Sequence, residues 1–244
     1  MSDAHVLRNE VLTNTIPVLD SSYMLYYTTT TTDIFAPQVT GKIVHDYMHP
    51  KPPNKHYLET VTGTTVDVEN PTEDMINIQD IAWGLSRIPR FAGHTITKVP
   101  YSVAQHSIMV MRYIRDNFED SSSEILMQAL LHDAAEVYIG DIPSPIKKLP
   151  SIRESIKTIE NRLMLSIYSK FNLCIPTPEG EALIKKSDLR ARAIEAHNFM
   201  VSRGKTWNLP EVDLLTLQSF EPPMIAQDAY KLFMKEFKEL QEYV

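Results

Sequence analysis

The chain has 244 residues, 43% of them hydrophobic and 23% charged, which is enough to bury a substantial core without disulfide or metal staples. Its 24 Lys plus Arg against 31 Asp plus Glu leave a net charge of −7, which disfavours coating a nucleic-acid polymer or an anionic membrane. Seven glycines make a glycine-cradled nucleotide loop improbable, and the single cysteine, Cys174, excludes an internal disulfide framework or a cysteine-clustered zinc finger.

The start, Met1-Ser2-Asp3-Ala4-His5, has neither the basic opening nor the apolar stretch of a signal peptide, and no later run is apolar enough to span a bilayer. A cytoplasmic protein with no membrane partner is expected. Residues 1–56 carry five consecutive threonines, Thr28 to Thr32, and a proline-bearing stretch from His49 to Lys55, without helical period. They read as an irregular or partly extended N-terminal extension of unknown role, and residues 57–244 as the domain proper. Alternation about Thr62-Gly63-Thr64 predicts a short hairpin over 57–68.

The remainder reads as helical. Ile78, Ile81, Ala82 and Leu85 share one helical face ahead of the Ile88-Pro89 break. Ser102 can cap a helix running to about Phe118, with Val103, Val110 and Ile114 inward. Ser121 with Glu124, and Ser151 with Glu154, have capping-box spacing; the first precedes the apolar run Ile125 to Val137, the second Ile152, Ile156, Ile159 and Leu163. Thr177-Pro178 opens another helix that Gly204 should close. A last amphipathic helix aligns Ala226, Tyr230, Phe233, Phe237 and Leu240. The expected fold is all-α, a helical bundle with a small β-hairpin and an irregular N-terminal extension.

Four metal-capable side chains fall on three of these helices: His106, the pair His132-Asp133, and Asp188. Two imidazoles with two carboxylates suit a transition metal better than Ca, and bundle interiors are a known place for such sets. Burying these groups is costly unless they meet. Each alone is also compatible with an ordinary core or helix-end role. Glu136 follows Asp133 by three places and His132 by four, so a helix would set it over both, where a proton-transfer group belongs.

Three segments carry a resemblance: Leu85-Ser86-Arg87-Ile88-Pro89-Arg90-Phe91, Ser102-Val103-Ala104-Gln105-His106-Ser107, and the run from Leu131 through His132-Asp133-Ala134-Ala135-Glu136 and Gly140-Asp141-Ile142-Pro143 to Lys147. Together they resemble the HD-domain phosphohydrolases, within them the YfbR-type 5'-deoxynucleotidases and phage deoxynucleoside-5'-monophosphatases. A bare His-Asp pair is uninformative: His45-Asp46 has one too, without the acid four places after the His.

The resemblance implies that His106, His132, Asp133 and Asp188 hold a divalent cation (Co, Mn, Mg, Fe or Zn). It makes Glu136 and Asp141 the acidic catalytic residues, and gives the phosphate to Arg90 and Lys147. Phe91 would face the sugar, in a place where the 5'-deoxynucleotidase branch carries Trp. Arg87 is either a second phosphate contact or a surface pair, and His94 either lines the pocket or makes backbone hydrogen bonds. The implied activity is hydrolysis of deoxynucleoside 5'-monophosphates by a homodimer or larger homo-oligomer. The rivals are a deoxynucleoside triphosphate triphosphohydrolase and, in another class, a non-catalytic helical interaction module stabilised by metal.

Overall fold

The computed structural model describes residues 29–30, 38–39, 56–218 and 220–243. The chain divides into two compact units, Met1–Asn54 and Lys55–Val244. In the first, β1 (Thr29–Thr30) pairs antiparallel with β2 (Gln38–Val39). The other threonines of the Thr28 to Thr32 run, the His49 to Lys55 stretch and His45-Asp46 lie outside the described residues.

The second unit opens with the expected hairpin. Strand β3 (Tyr57–Glu59) pairs antiparallel with β4 (Thr65–Asp67), Leu58 opposite Val66. Helix α1 (Ile78–Arg87) follows, capped by the Asn77 side chain, which accepts from the Gln79 amide. Asp80 in its first turn is buried and accepts from Thr60 Oγ1 (2.8 Å), Thr62 N (2.9 Å) and Thr62 Oγ1 (2.8 Å), so one carboxylate fastens the hairpin loop to the helix.

Helix α2 (Val103–Asn117) begins where Ser102 accepts from the Gln105 amide, as its sequence foretells. Val103, Val110 and Ile114 are fully buried on its inner face. The next cap differs from expectation. Helix α3 (Ser123–Leu130) is capped by Ser122, one place after Ser121, and Glu124 accepts from the Cys174 amide instead of closing a box. The helix also does not run on to Val137. His132 Nδ1–H donates back to the Ala129 carbonyl at 2.8 Å, and the chain tightens through i to i+3 bonds at Ala134, Glu136 and Val137. It then forms the single-turn α4 (Glu136–Ile139).

One-turn α5 (Ser144–Lys147) and then α6 (Arg153–Lys170) follow. The Ser151–Glu154 box does not form: α6 starts after Ile152 with no side-chain cap. Helix α7 (Pro178–Phe199) is capped by Thr177, but it closes at Met200, so Gly204 lies in a later turn (φ 69°) and does not end the helix. After short α8 (Leu214–Gln218), α9 (Ala226–Gln241) packs on α1, α2 and α3 and buries Phe233 and Phe237. Each such fully buried ring contributes on the order of 2–3 kcal/mol of apolar burial. Among the described residues the fold is all-α apart from two small antiparallel strand pairs, and none of the described helices is long and apolar enough to cross a membrane.

α2 packs on both α3 and α7, and α1 on α4. Gly84 makes the second approach possible, because a Cβ there would meet Val137 Cγ1 at 2.8 Å. Four segments are thereby drawn together: the chain after α1, the first turn of α2, the turn after α3, and mid-α7.

Candidate active site

His106 sits in the first turn of α2 and is fully buried. Its Nδ1–H donates to Glu195 Oε1 at 2.6 Å, so Nε2 is the ring atom left to face Asp188 Oδ1 (3.4 Å) and Asp133 Oδ2 (3.6 Å). His132 is oriented by a different device. Its Nδ1–H is spent on Ala129, which leaves Nε2 3.3 Å from Asp133 Oδ2. Both Nε2 atoms are buried without a hydrogen-bond partner.

Ligand atoms of His106, His132 and Asp188 lie within 4.8 Å of one another. With each Nδ1–H committed to an acceptor, either ring in its neutral form presents its Nε2 lone pair inward; beside carboxylates, such atoms fit a divalent metal ion, which would satisfy the orphaned Nε2 positions. Asp133 reaches both rings and also Arg90, whose NH1 is 3.8 Å from Oδ2. Asp133 lies in the tight turn after α3, and its Oδ2 there is 3.3 Å from the Nε2 of the adjacent His132.

Arg90 reaches this point because the chain after α1 is tied to the start of α2: Arg90 N–H donates to Tyr101 O at 2.8 Å, and Val103 N–H to Ile88 O at 3.0 Å. The guanidinium is buried against Glu195 Oε2 (3.3 Å from both Nε and NH2) and lies 3.6 Å from Asp141. Phe91 and Ala92 adopt left-handed backbone (φ 56° and 51°), at about 1–2 kcal/mol each for a non-glycine residue. The Phe91 ring packs against Trp207 at 5.7 Å, with the Arg90 guanidinium 5.6 Å from it.

Asp141 enters through Gly140, whose φ of 82° and ψ of 161° only glycine adopts freely. Lys147, ending α5, bonds to Glu136 Oε1 (3.1 Å) and Glu160 Oε1 (2.8 Å).

Electrostatics follow from this crowding. Burial raises the Glu136 carboxyl, Asp133 and Asp141 add to it, and the Lys147 and Arg90 charges offset only part, so it is pushed up to about 8. Burial works against the Lys147 charge, but Glu136 and Glu160 outweigh it and hold that ammonium firmly protonated. At His106, burial and Arg90 press the imidazole down, but Glu195 and Asp188 outweigh them and hold it at about 9. Burial works against the charged form of Asp133 and Asp188 too. The imidazoles nevertheless keep both carboxyls well below the usual range, aided by Arg90 at the first and Arg192 at the second.

The expected site residues therefore converge, with Arg87 as the exception. Arg87 is exposed, stands 4.6 Å over the Trp83 ring and makes none of the ion pairs of the cluster. His94 is exposed and its N–H donates to Phe91 O, the backbone alternative of its two readings. Sequence reasoning missed Glu195, Glu160, Lys185 and Arg192. Lys185 and Arg192 flank Asp188 on α7 at 2.7 and 3.2 Å, and their i+3 and i+4 spacing was a usable signal. Glu195, seven residues past Asp188, had a signal only in its helical phase.

The helical frame and its His/His-Asp/Asp cluster define a hydrolase of the HD class. A family model described as 5'-deoxynucleotidase YfbR-like matches residues 73–175. The uncharacterized protein YfdR of Escherichia coli (strain K12) is 32% identical over 76% of this chain and 96% of its own length. A second relative, the uncharacterized protein RCAP_rcc00048 of Rhodobacter capsulatus, is 33% identical over 56% of this chain and 69% of its own. Among solved structures, the cyanophage S-2L HD phosphohydrolase DatZ, bound to dA and one catalytic Zn2+ ion, is similar over 65% of this chain and 95% of its own. That match has 21% identity and a TM-score of 0.41. The chain belongs to the YfbR-like 5'-deoxynucleotidase family of HD-domain phosphohydrolases.

Proposed function

We propose that the protein is a metal-dependent phosphomonoesterase that hydrolyses deoxynucleoside 5'-monophosphates to deoxynucleosides and phosphate. The observation that carries this reading is the pair of buried, unpartnered imidazole Nε2 atoms converging with Asp188, beside a buried arginine and a carboxyl pushed up to about 8. His106, His132, Asp133 and Asp188 would hold a divalent cation. When bound, such an ion makes water more acidic and offsets phosphoryl charge.

The remaining steps belong to the chain's own side chains. Arg90 offers guanidinium N–H groups to phosphate oxygens, with Lys147 as a second cation whose loop is stiffened by Pro143 and Pro145. Glu136 has one carboxylate oxygen on Lys147 and the other, Oε2, buried and unpartnered. A carboxyl near 8 exchanges protons readily at neutral pH, so Glu136 is suited to take a proton from water and return it to the departing sugar oxygen. Asp141, 3.6 Å from Arg90 NH1, orients that guanidinium and takes part in the acid–base work.

Phe91 would lie against the sugar. Self-association into a homodimer or larger homo-oligomer belongs to the same reading through the family resemblance, and sedimentation tests it.

A panel of deoxynucleoside and ribonucleoside mono- and triphosphates, assayed for products with Mn or Co, tests the reaction. Phosphate and deoxynucleoside from monophosphates are expected. Tripolyphosphate from triphosphates would instead favour attack at the α-phosphorus, and inertness towards every monophosphate would defeat the proposal.

A further inference from the structure

One carboxylate in the cluster touches neither the ion pocket nor the open face, yet two of its key side chains end on it. Glu195 is completely buried in α7, 89 residues from His106 in sequence and 105 from Arg90. Its Oε1 accepts the His106 Nδ1–H at 2.6 Å, and its Oε2 accepts from Nε and NH2 of Arg90 at 3.3 Å. The two oxygens are thus divided between two functions, one for each.

The first bond fixes the imidazole tautomer and aims Nε2 at Asp188 and Asp133; the second occupies one edge of the guanidinium and leaves NH1 to face Asp133 and Asp141. A buried carboxylate kept only for packing strength has no reason to be split in this way, since an apolar residue of similar size would fill the space at lower desolvation cost.

We propose that Glu195 is a positioning residue that couples the two halves of the site, holding the metal-ligating imidazole of His106 and the phosphate-binding guanidinium of Arg90 in register through one carboxylate. The inference rests on the phosphohydrolase reading above for the roles of its two clients.

The test compares Glu195→Ala and Glu195→Gln in the full chain. It measures Co2+ affinity from the visible absorption of the bound ion, and KM and kcat at saturating Co2+. Glu195→Ala should weaken Co2+ binding by about 10- to 100-fold, the range found when the partner of a ligating histidine is removed. Saturating Co2+ should leave its KM about tenfold above wild type, because Arg90 is no longer held.

Glu195→Gln keeps an acceptor for His106 but turns a donor amide towards the donors of Arg90. It should bind Co2+ within about threefold of wild type while showing the same raised KM. A merely structural role would not separate the two readouts.

Wild-type KM for both variants once Co2+ saturates would overturn the proposal, as would Co2+ affinity within about twofold of wild type in Glu195→Ala. If Glu195→Ala does not fold, Glu195→Gln decides alone: raised KM with retained metal supports the role, and an unchanged KM refutes it. Should the wild type hydrolyse no nucleotide, the functional reading has failed. The affinity of the Co2+-loaded protein for inorganic phosphate then takes the place of KM, with the same expected shifts.

Discussion

Glu136→Gln should slow turnover sharply and yet make the metal-free protein more stable, with the gain confined to neutral and alkaline pH. Burial and the neighbouring Asp133 and Asp141 push the Glu136 carboxyl from its ordinary 4.5 up to about 8. Between those values the folded state retains a proton that the unfolded chain has released. Stability therefore falls as pH rises through the window, and the full penalty stands above about pH 8.

At ~1.4 kcal/mol for each tenfold change, the ceiling is ~5 kcal/mol. Because Asp133 and Lys147 share part of the same electrostatic interaction, ~2–3 kcal/mol is the share expected for Glu136 itself. A glutamine carries no charge to desolvate, still offers an oxygen to Lys147, and leaves that ammonium its second partner, Glu160, at 2.8 Å. For a domain of this size the gain corresponds to about 4–12 °C in Tm.

Melting curves of both proteins in chelator at about pH 4.5 and pH 8 supply the comparison, and phosphate release with Mn or Co supplies kcat, expected to fall about 10²- to 10⁴-fold. A variant that melts no higher than wild type at pH 8, or gains as much at pH 4.5, would refute the electrostatic argument. Undiminished kcat in a folded, metal-binding variant would remove Glu136 from the chemistry.

Stripping the metal with a chelator should end turnover. Returning Mn or Co at about 100 times its Kd should restore activity and add ~2.7 kcal/mol of stability, whereas melting curves indifferent to metal would contradict a resident ion. Asp80→Ala removes three hydrogen bonds between α1 and the hairpin loop and should cost ~2–4 kcal/mol in denaturant unfolding while leaving kcat alone; a cost under ~1 kcal/mol would show that the loop is held by other contacts. Gly84→Ala drives a methyl into Val137 and should cost ~1–3 kcal/mol, with Val137→Ala in the same chain recovering part of it; additive losses would mean that the close approach is not the cause.

The sequence spoke most clearly where a local rule acts alone. Ser102 and Thr177 cap α2 and α7 where their spacing says they should, and the apolar faces of α1 and α9 turn inward because no neighbouring force competes with burial. Ser121 and Ser151 do not cap because both helices begin past them, the first at Ser122 and the second at Ile152. Glu124 accepts from the Cys174 amide, a partner 50 residues away, and α6 starts after Ile152 without any side-chain cap. Helical periodicity also ran through the His132-Asp133 turn, because alanines and leucines on either side of it are good helix formers. What breaks the helix there is the His132 bond to the Ala129 carbonyl and the packing that makes the turn useful.

The clustered acids illustrate the same division from the side of charge. Asp133, Glu136, Asp141, Asp188 and Glu195 are gathered around Arg90, Lys147 and two imidazoles, and the acids outnumber the fixed cations. Lys185 and Arg192 answer Asp188 from the rim, but they do not reach the others. The metal-free chain relieves the excess with protons, holding His106 at about 9 and Glu136 at about 8. Those are two positive equivalents placed where a divalent cation would supply the same charge without occupying the atoms that, in the proposed function, would ligate and transfer protons. A set of isolated helix-end acids would show no such pairing, because each could discharge itself into solvent. Here Glu195 is fully buried and Asp141 and Asp188 nearly so, and what they share is the space between four chain segments that no short stretch of sequence encodes.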